Sequence, residues 1–483
     1  MKLFKRFKLK KGKEVLNSTG GNYIAGQMIP DEAPEQIPEN FQQRRRDSIS
    51  DRSILMTLVG MLCNARTDFN DVDLYKDDTV FAHSFQIDRL PSEPTLRQRL
   101  DELPQERSHT ALRGFNQILL KQRSFGTVKA GHLNLVPVDI DVSVLDNSGS
   151  SKQGVSFTYK KHDGFAPIFA YIGAEGYMLN NELRPGSQNC QNQTAEFIAD
   201  CMRSVKELGL SGQTLLRLDS GNDAQENFTH FGQSYFIVKR NLRKESREQW
   251  LATARQVGQL ESSREGKNVY TGFVDHLRPG GAKSSLEPVP VAFEVIERLT
   301  DPDGNYLLEP EIEVNTFWTN LPCAKAREII DLYHDHGTSE QFHSEFKSDL
   351  DIERLPSEKL CVNKIVLLCG MLAFNLLRSV GQEVVKRAQL APVKIKVKRW
   401  RLKTVLQTII YCAVRVVRHG RGIGLNFGKS CPWFDVIADL ARVKPEGLCS
   451  PAACLFLQSA NCGSYCVDTE HQKSEKLPYI LPG

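Results

Sequence analysis

The sequence predicts an α/β fold, and three segments carry that reading. Val136 to Leu145 begins with branched apolar residues on even positions and polar groups on most odd ones, the period of a half-buried strand. Thr214 to Asp219 is a second strand that runs into the turn cluster Ser220-Gly221-Asn222-Asp223. Between them Ala195 to Leu208 reads as a helix.

The chain has 483 residues, enough for about three domains with cores of their own. Its net charge of +4 is mild, so the interest lies in where basic residues gather. Lys2, Lys5, Arg6, Lys8, Lys10, Lys11 and Lys13 crowd the amino end, Arg44 to Arg46 make a second run, and Lys394, Lys396, Lys398, Arg399, Arg401 and Lys403 a third. Such runs suit a polyanion, or equally a solvated surface. Residues 1–48 are expected to be a flexible basic arm.

From Asp51, Ile54, Leu55, Leu58, Met61 and Leu62 follow helical spacing, and a second helix is expected from Pro94-Thr95 through Leu96, Leu100 and Leu103. Residues 49–130 are therefore read as helical. Residues 131–235 give strands Val136 to Leu145, Val155 to Tyr159, Pro167 to Ile172 and Tyr177 to Asn180, helix Ala195 to Leu208, strand Thr214 to Asp219 and helix Ala224 to Phe231. Several strands, a helix, then a strand returning beside the first is the order of a ribonuclease H-like core. Residues 236–320 are too long for a simple connection and rich in strand-like text, at Tyr235 to Val238, Val269 to Phe273, Val289 to Ile296 and Ile312 to Trp318. They predict a β-rich insertion, with Lys239, Arg240, Arg243, Lys244 and Arg247 forming a basic stretch near aromatics. Residues 321–385 complete the core, and residues 386–483 form a helical, basic carboxyl region for DNA contact or dimerisation.

Carboxylates supply the chemistry. Asp139 and Asp141 share a strand face about 6.6 Å apart, so spacing leaves open which one serves a site. Asp219 closes its strand at the carboxyl end, where open α/β sheets place ligands and where an Asp is also an ordinary cap. In Tyr333 to Lys347, Thr338 followed by Gln341 reads as a capping box, with Glu340 in the first helical turn. Glu340, His343 or Ser344, and Lys347 then share one stripe, and Phe342 and Phe346 form a buried one beside it. If the fold brings Asp141, Asp219 and Glu340 together, they make a site for divalent metal.

The spacing Tyr333, His336, Glu340, Lys347 resembles the Tyr-Arg-Glu-Lys signature of bacterial DDE insertion-sequence transposases, with His336 where that family has Arg. The segments DIDVSVLDNSG, HDGFAPIFAYIGAEGYMLNNELRPGSQN, LLRLDSGNDAQENF, TNLP and DLDIERLPSEKLCVNKIVLLCGMLAFNLL resemble the cut-and-paste branch with a large insertion before the Glu, in order over most of residues 90 to 380. The resemblance implies that Asp141, Asp219 and Glu340 are metal ligands holding two Mg2+ ions, with Mn2+ able to substitute. It implies DNA contacts from Tyr333, His336 and Lys347, and an insertion that holds DNA ends through Lys239, Arg240 and Arg243. Trp318 is a candidate stacking residue there, and a strand Trp before Pro322 is as readily core. The implied activity is binding of terminal inverted repeats, hydrolytic cleavage of double-stranded DNA ends and joining to target DNA, by a homodimer assembled on DNA in the bacterial cytoplasm at the nucleoid. A ribonuclease H-like nuclease without strand transfer, or a non-catalytic transposase-derived repressor, are the rival readings.

The amino-terminal run lacks the apolar stretch of a secretion signal. Ile365 to Leu377 is too short to span a bilayer and reads as a buried helix carrying Asn375, so a soluble intracellular protein is expected. Most of the twelve cysteines are scattered and read as reduced core residues. Cys449, Cys454, Cys462 and Cys466 are denser, but the middle gap is short for paired zinc ligands.

Overall fold

The computed structural model describes residues 9–264, 266–276, 289–301, 303–322, 325–420 and 422–442. The amino-terminal region is helical: α1 (Asn22–Gln27), α2 (Asp51–Leu62), α3 (Thr79–Ser84), α4 (Glu93–Asp101) and α5 (Gln105–Lys121). Ser50 caps α2 by accepting from the Ser53 amide, and Asp78 caps α3 by accepting from Phe81.

From Asn17 on, the expected flexible arm is built into the core instead, while Leu9 to Leu16 are exposed. Ile24, Ala25, Met28, Ile29, Ala33, Ile37 and Phe41 are buried, and Leu16–Asn17 pair with Val414–Arg415. A Cβ on Gly21 would lie 2.0 Å from the Ile409 carbonyl oxygen, so only glycine lets these backbones meet. The partners lie nearly four hundred residues away, where no local pattern announces them. Of the second basic run, Arg44 is tied to Glu102 (2.7 Å) and Asp51 (3.2 Å). Residues 1–8, with the start of the first run, lie outside the described residues.

The sheet follows, with its helices: β1 (Leu133–Val142), β2 (Ile168–Ile172), β3 (Tyr177–Glu182), α6 (Thr194–Glu207), β4 (Thr214–Leu218), α7 (Gln225–Phe228), β5 (Tyr235–Lys239), α8 (Arg247–Val257), β6 (Gln259–Arg264), β7 (Lys267–His276), β8 (Val289–Thr300) and β9 (Tyr306–Thr319). Hydrogen bonding orders these strands β6-β7-β8-β9-β5-β4-β1-β2-β3, and Val128–Ala130 adds a short strand to the start of β1. Neighbours β1/β4 and β4/β5 are parallel; the others are antiparallel. The insertion is therefore an extension of the central sheet: β9 pairs directly with β5, Ile237 opposite Thr319 and Lys239 opposite Phe317. A strand edge left open at β5 is covered by continuing the ladder.

The period-two reading of β1 decides its faces. Val136, Val138 and Ile140 pack with Phe197, Ile198, Cys201 and Val205 of α6. On the opposite face lies α9 (Ala326–His334), whose Ile329 and Ile330 cover Leu135, Leu215 and Ile237. A 3-10 turn at Asp335–Gly337 leads from α9 into α10 (Thr338–Ser344), followed by a π-helical turn at Glu345–Asp349. Thr338 has helical angles and Gly337 is the N-cap without a side-chain bond, so the expected capping box is not formed. The chain arrives already helical and has no orphan amides to cap.

Next comes α11 (Leu360–Lys386), most of it buried among α2, α5 and β3. The expectation that its apolar stretch is too short for a bilayer is corrected: the 27-residue helix is long and apolar enough to cross one by length and composition. The buried reading holds, because Asn375 accepts from the Met178 amide (2.7 Å) and donates to Asn116 Oδ1 (2.7 Å), bonds that fix it to β3 and α5. The described chain ends with α12 (Leu402–Val405), β10 (Val414–His419), β11 (Gly422–Phe427) and α13 (Phe434–Arg442). The four tail cysteines lie outside the described residues.

Candidate active site

Register brings two of the acids together. In the parallel pair β1/β4, Ile140 stands opposite Leu218, and one residue further each chain reaches Asp141 and Asp219. Adjacent strands are about 4.8 Å apart, so the two carboxylates share one spot at the strands' carboxyl ends. The third acid comes from α10, seated by Phe342 over the β2–β3 hairpin. A Cβ on Gly176 (φ +70°) would sit 2.2 Å from the Phe342 ring. Glu340 is exposed on that helix and, with Asp141 and Asp219, lines a cleft of about 760 Å³, lined also by Tyr159, Lys160, Tyr333, His336, His343 and Lys347.

The two aspartates differ electrostatically. Burial, and then the charge of Asp141, push the Asp219 carboxyl above the usual carboxylate range, while Asn222 Nδ2 donates to its Oδ1 at 2.6 Å. For Asp141 burial also acts upward, but His343 outweighs it and the carboxyl ends below the usual range. His343 Nε2 lies 3.4 Å from Asp141 Oδ2 and Nδ1 lies 3.2 Å from the Tyr171 hydroxyl. The Tyr171 contact joins the ring to the sheet, and Nε2 is turned toward the Asp141 carboxylate. Burial holds this imidazole below the ordinary histidine range, against the upward pull of Asp141.

Asp139, the alternative to Asp141, is buried against its partners and is not among the residues that line the cleft. Arg217 grips it in two places, Nε to Oδ1 at 2.6 Å and Nη2 to Oδ2 at 2.8 Å, and His336 Nδ1 donates to Oδ1 at 2.9 Å. Arg217 Nη1 also donates to the Leu332 carbonyl at 2.8 Å. This buried cluster fastens β1, β4 and α9 together directly behind Asp141 and Asp219. Burial acts against the charge of Asp139, but Arg217 and His336 prevail and lower its pKa. His336, expected as a DNA contact, is therefore a largely buried brace that bonds Asp139 and also lines the cleft wall.

The helix bearing Glu340 is anchored from behind in the same way. Buried Glu345 accepts from Arg378 Nη2 (2.9 Å), the Leu402 amide (2.9 Å) and Arg399. Asp349 accepts from Arg401 Nε (2.9 Å) and the Lys403 amide (3.0 Å). Arg399 and Arg401 of the third basic run are thus structural, whereas Lys394, Lys396 and Lys398 are exposed. Π-turns of the kind at 345–349 recur at functional sites.

Of the other expected contacts, Tyr333 and Lys347 reach the cleft. Tyr333 packs on Phe317, ring centroids 4.7 Å apart, and Lys347 Nζ donates to the Val144 carbonyl. Burial lowers the Lys347 pKa. Arg240 is corrected: it is buried, paired with Glu245 and placed over the Trp250 and Trp318 rings. Trp318 is corrected too, because it is 0% exposed with Nε1 donating to Asp223 Oδ1 at 2.9 Å, so no base can reach its face. Trp318→Ala should lower unfolding free energy by about 3–5 kcal/mol in a denaturant titration. Lys239 and Arg243 are not among the cleft-lining residues. Sequence reasoning missed Tyr159 and Lys160, which sit in a turn with no catalytic motif, and left His343 unresolved on its stripe.

The fold and cleft define a class: an α/β enzyme with acids converging at the carboxyl ends of a parallel strand pair. The family model described as "Transposase DDE domain group 1" matches residues 33–446, and the chain belongs to that family. It is a DDE-type transposase. Among solved structures, the cryo-EM structure of the piggyBac transposase synaptic complex with hairpin DNA is similar at a TM-score of 0.39 and 10% identity, over 81% of this chain and 80% of that one. No curated protein matches the chain.

Proposed function

We propose that this transposase cuts and joins DNA with Asp141, Asp219 and Glu340, on what we read as a ribonuclease H-like core formed by β3-β2-β1-β4-β5. The observation that carries the reading is convergence: acids from residues 141, 219 and 340 line one cleft that also holds Lys160 and Lys347. An acidic pocket edged by cations suits a phosphodiester, whose own charge must be neutralised while an ionised nucleophile attacks it.

The donor set fits a hard divalent cation. Asp219 is held in a state of electrostatic tension by Asp141, which a bound cation would relieve. Among the described residues no three Asp, Glu, His or Cys side chains stand close enough together to hold an ion by themselves, so water and substrate oxygens would have to complete a shell that exposed Glu340 leaves open. Mg2+ fits this chemistry, with Mn2+ as a substitute, and a pair of ions would supply Lewis acidity and charge neutralisation at the phosphate. Asp141 and Asp219 would hold them from the strands and Glu340 from the helix. His343 orients Asp141, Lys347 neutralises a neighbouring phosphate, and Tyr333 contacts DNA at the cleft wall.

In this reading, hydrolysis at a terminal inverted repeat leaves a 3'-hydroxyl, which then attacks a target phosphodiester in the same cleft. Two ends cut in concert require a homodimer on DNA, in the cytoplasm at the nucleoid. Cation and DNA should bind cooperatively: calorimetry should show tighter Mg2+ binding with DNA ends than without, and equal affinities would contradict the assignment. The deciding experiment is a strand-transfer assay with DNA flanking the coding region as substrate. Mg2+-dependent nicking followed by joining is expected. Nicking without joining would leave a plain nuclease, and binding without nicking a repressor.

A further inference from the structure

With Trp318 buried, the ring exposed at the cleft is that of Tyr159, and Phe157 is exposed two residues before it. Phe157 and Tyr159 are 64% and 62% exposed, on either side of buried Thr158. Phe157 ends a strand of a small sheet of Leu145–Asp146, Asp163–Phe165 and Ser156–Phe157, apart from the large one, and Tyr159 lies in the turn that follows. The loop joining its strands is held by its own bonds: Lys161 N donates to the Thr158 carbonyl (3.0 Å), Thr158 N and Oγ1 donate to the His162 carbonyl (3.0 and 2.8 Å), and Lys161 takes φ +65°.

Tyr159 and Lys160 are therefore the central pair of a tight turn. The Tyr159 hydroxyl donates to the Val142 carbonyl (3.1 Å), one residue beyond Asp141, which fixes the ring at the mouth of the cleft. Tyr159 and Lys160 line that cleft together with Asp141 and Asp219, and Lys161 is exposed beside them. Rings left in water next to lysines on a rigid turn form a surface that a flat nucleobase and its phosphate would cover. Every base has a face to stack, so such a surface takes single-stranded nucleic acid with little sequence preference.

We propose that residues 157–162 are a clamp for an unpaired nucleotide of the DNA strand in the cleft, Tyr159 and Phe157 stacking on bases and Lys160 and Lys161 taking phosphates. The proposal rests on reading the cleft as a DNA-cutting site. Full-length protein would be titrated with a short blunt duplex and with the same duplex carrying a single-stranded extension. Wild type should prefer the extended duplex, and Phe157→Ala and Tyr159→Ala should each lose roughly ten-fold of that preference. Tyr159→Phe, which keeps the ring, should retain it. Lys160→Gln should weaken both duplexes and flatten the salt dependence.

Thermal unfolding that matches wild type for Phe157→Ala shows that this exposed substitution leaves the fold intact. Both alanine variants keeping the full preference while binding both duplexes would overturn the clamp and leave the DNA reading standing. Failure of wild type to bind either duplex would overturn both.

Discussion

Asp219→Ala is expected to reduce Mg2+-dependent nicking of a repeat-bearing plasmid by on the order of 10³-fold or more, because a cation at a phosphoryl centre contributes several kcal/mol of charge stabilisation. Asp141→Ala and Glu340→Ala should do the same. Without Mg2+ all three should bind repeat DNA nearly as wild type does, since affinity for DNA then comes mainly from cations on the protein. The Asp219 variant is the most informative. Its carboxyl is the one raised by burial and by Asp141, so removing it relieves repulsion in the unloaded cleft while stripping the site of a ligand. Thermal stability without Mg2+ should hold or rise as activity collapses. A variant that nicks at near the wild-type rate would refute the assignment of Asp219.

Arg217→Met is expected to destabilise the protein by about 3–5 kcal/mol, the cost of leaving a buried carboxylate without its partner. Arg217 and Asp139 are both 3% exposed and joined by two bonds, and Arg217 also holds the Leu332 carbonyl at the end of α9. Denaturant titration measures the loss. Its pH dependence has a definite sign. The folded pKa of Asp139 is depressed, so its contribution is complete well above the unfolded value of about 3.9 and is lost as pH falls through the lower folded value. The stability gap between wild type and Arg217→Met should therefore narrow in acid below about pH 4. A gap constant from neutral pH into that range would show that the ion pair is not what stabilises the strands.

Much of the central sheet is legible in the sequence because its signal is local. Alternation in Val136 to Leu145 and the apolar run in Thr214 to Leu218 set which faces are buried, and both strands form within a few residues of the expected ends. Helix α6 and the Phe342/Phe346 stripe follow from the same logic. The residues that failed did so through partners far along the chain. Basic Arg240 and aromatic Trp318 look like nucleic-acid contacts until Glu245, Trp250 and Asp223 are found beside them. The amino-terminal segment looks like an arm until residues 409 to 415 cover it.

The sequence by itself determined the strand pattern and the placement of acidic residues at the end of one strand, just past another and in the first turn of a helix. Periodicity and turn residues act over a few positions and need no partner to be read. Only the tertiary structure tells the surroundings of Asp139 and Asp141 apart. Both point to one face, and the difference is that Arg217 and His336 neutralise the first, while the second projects past the end of the β1/β4 pairing into an open cleft. Which carboxylate is spent on the fold and which is left for chemistry is set by what surrounds it, and that environment is assembled from residues the chain brings together only on folding.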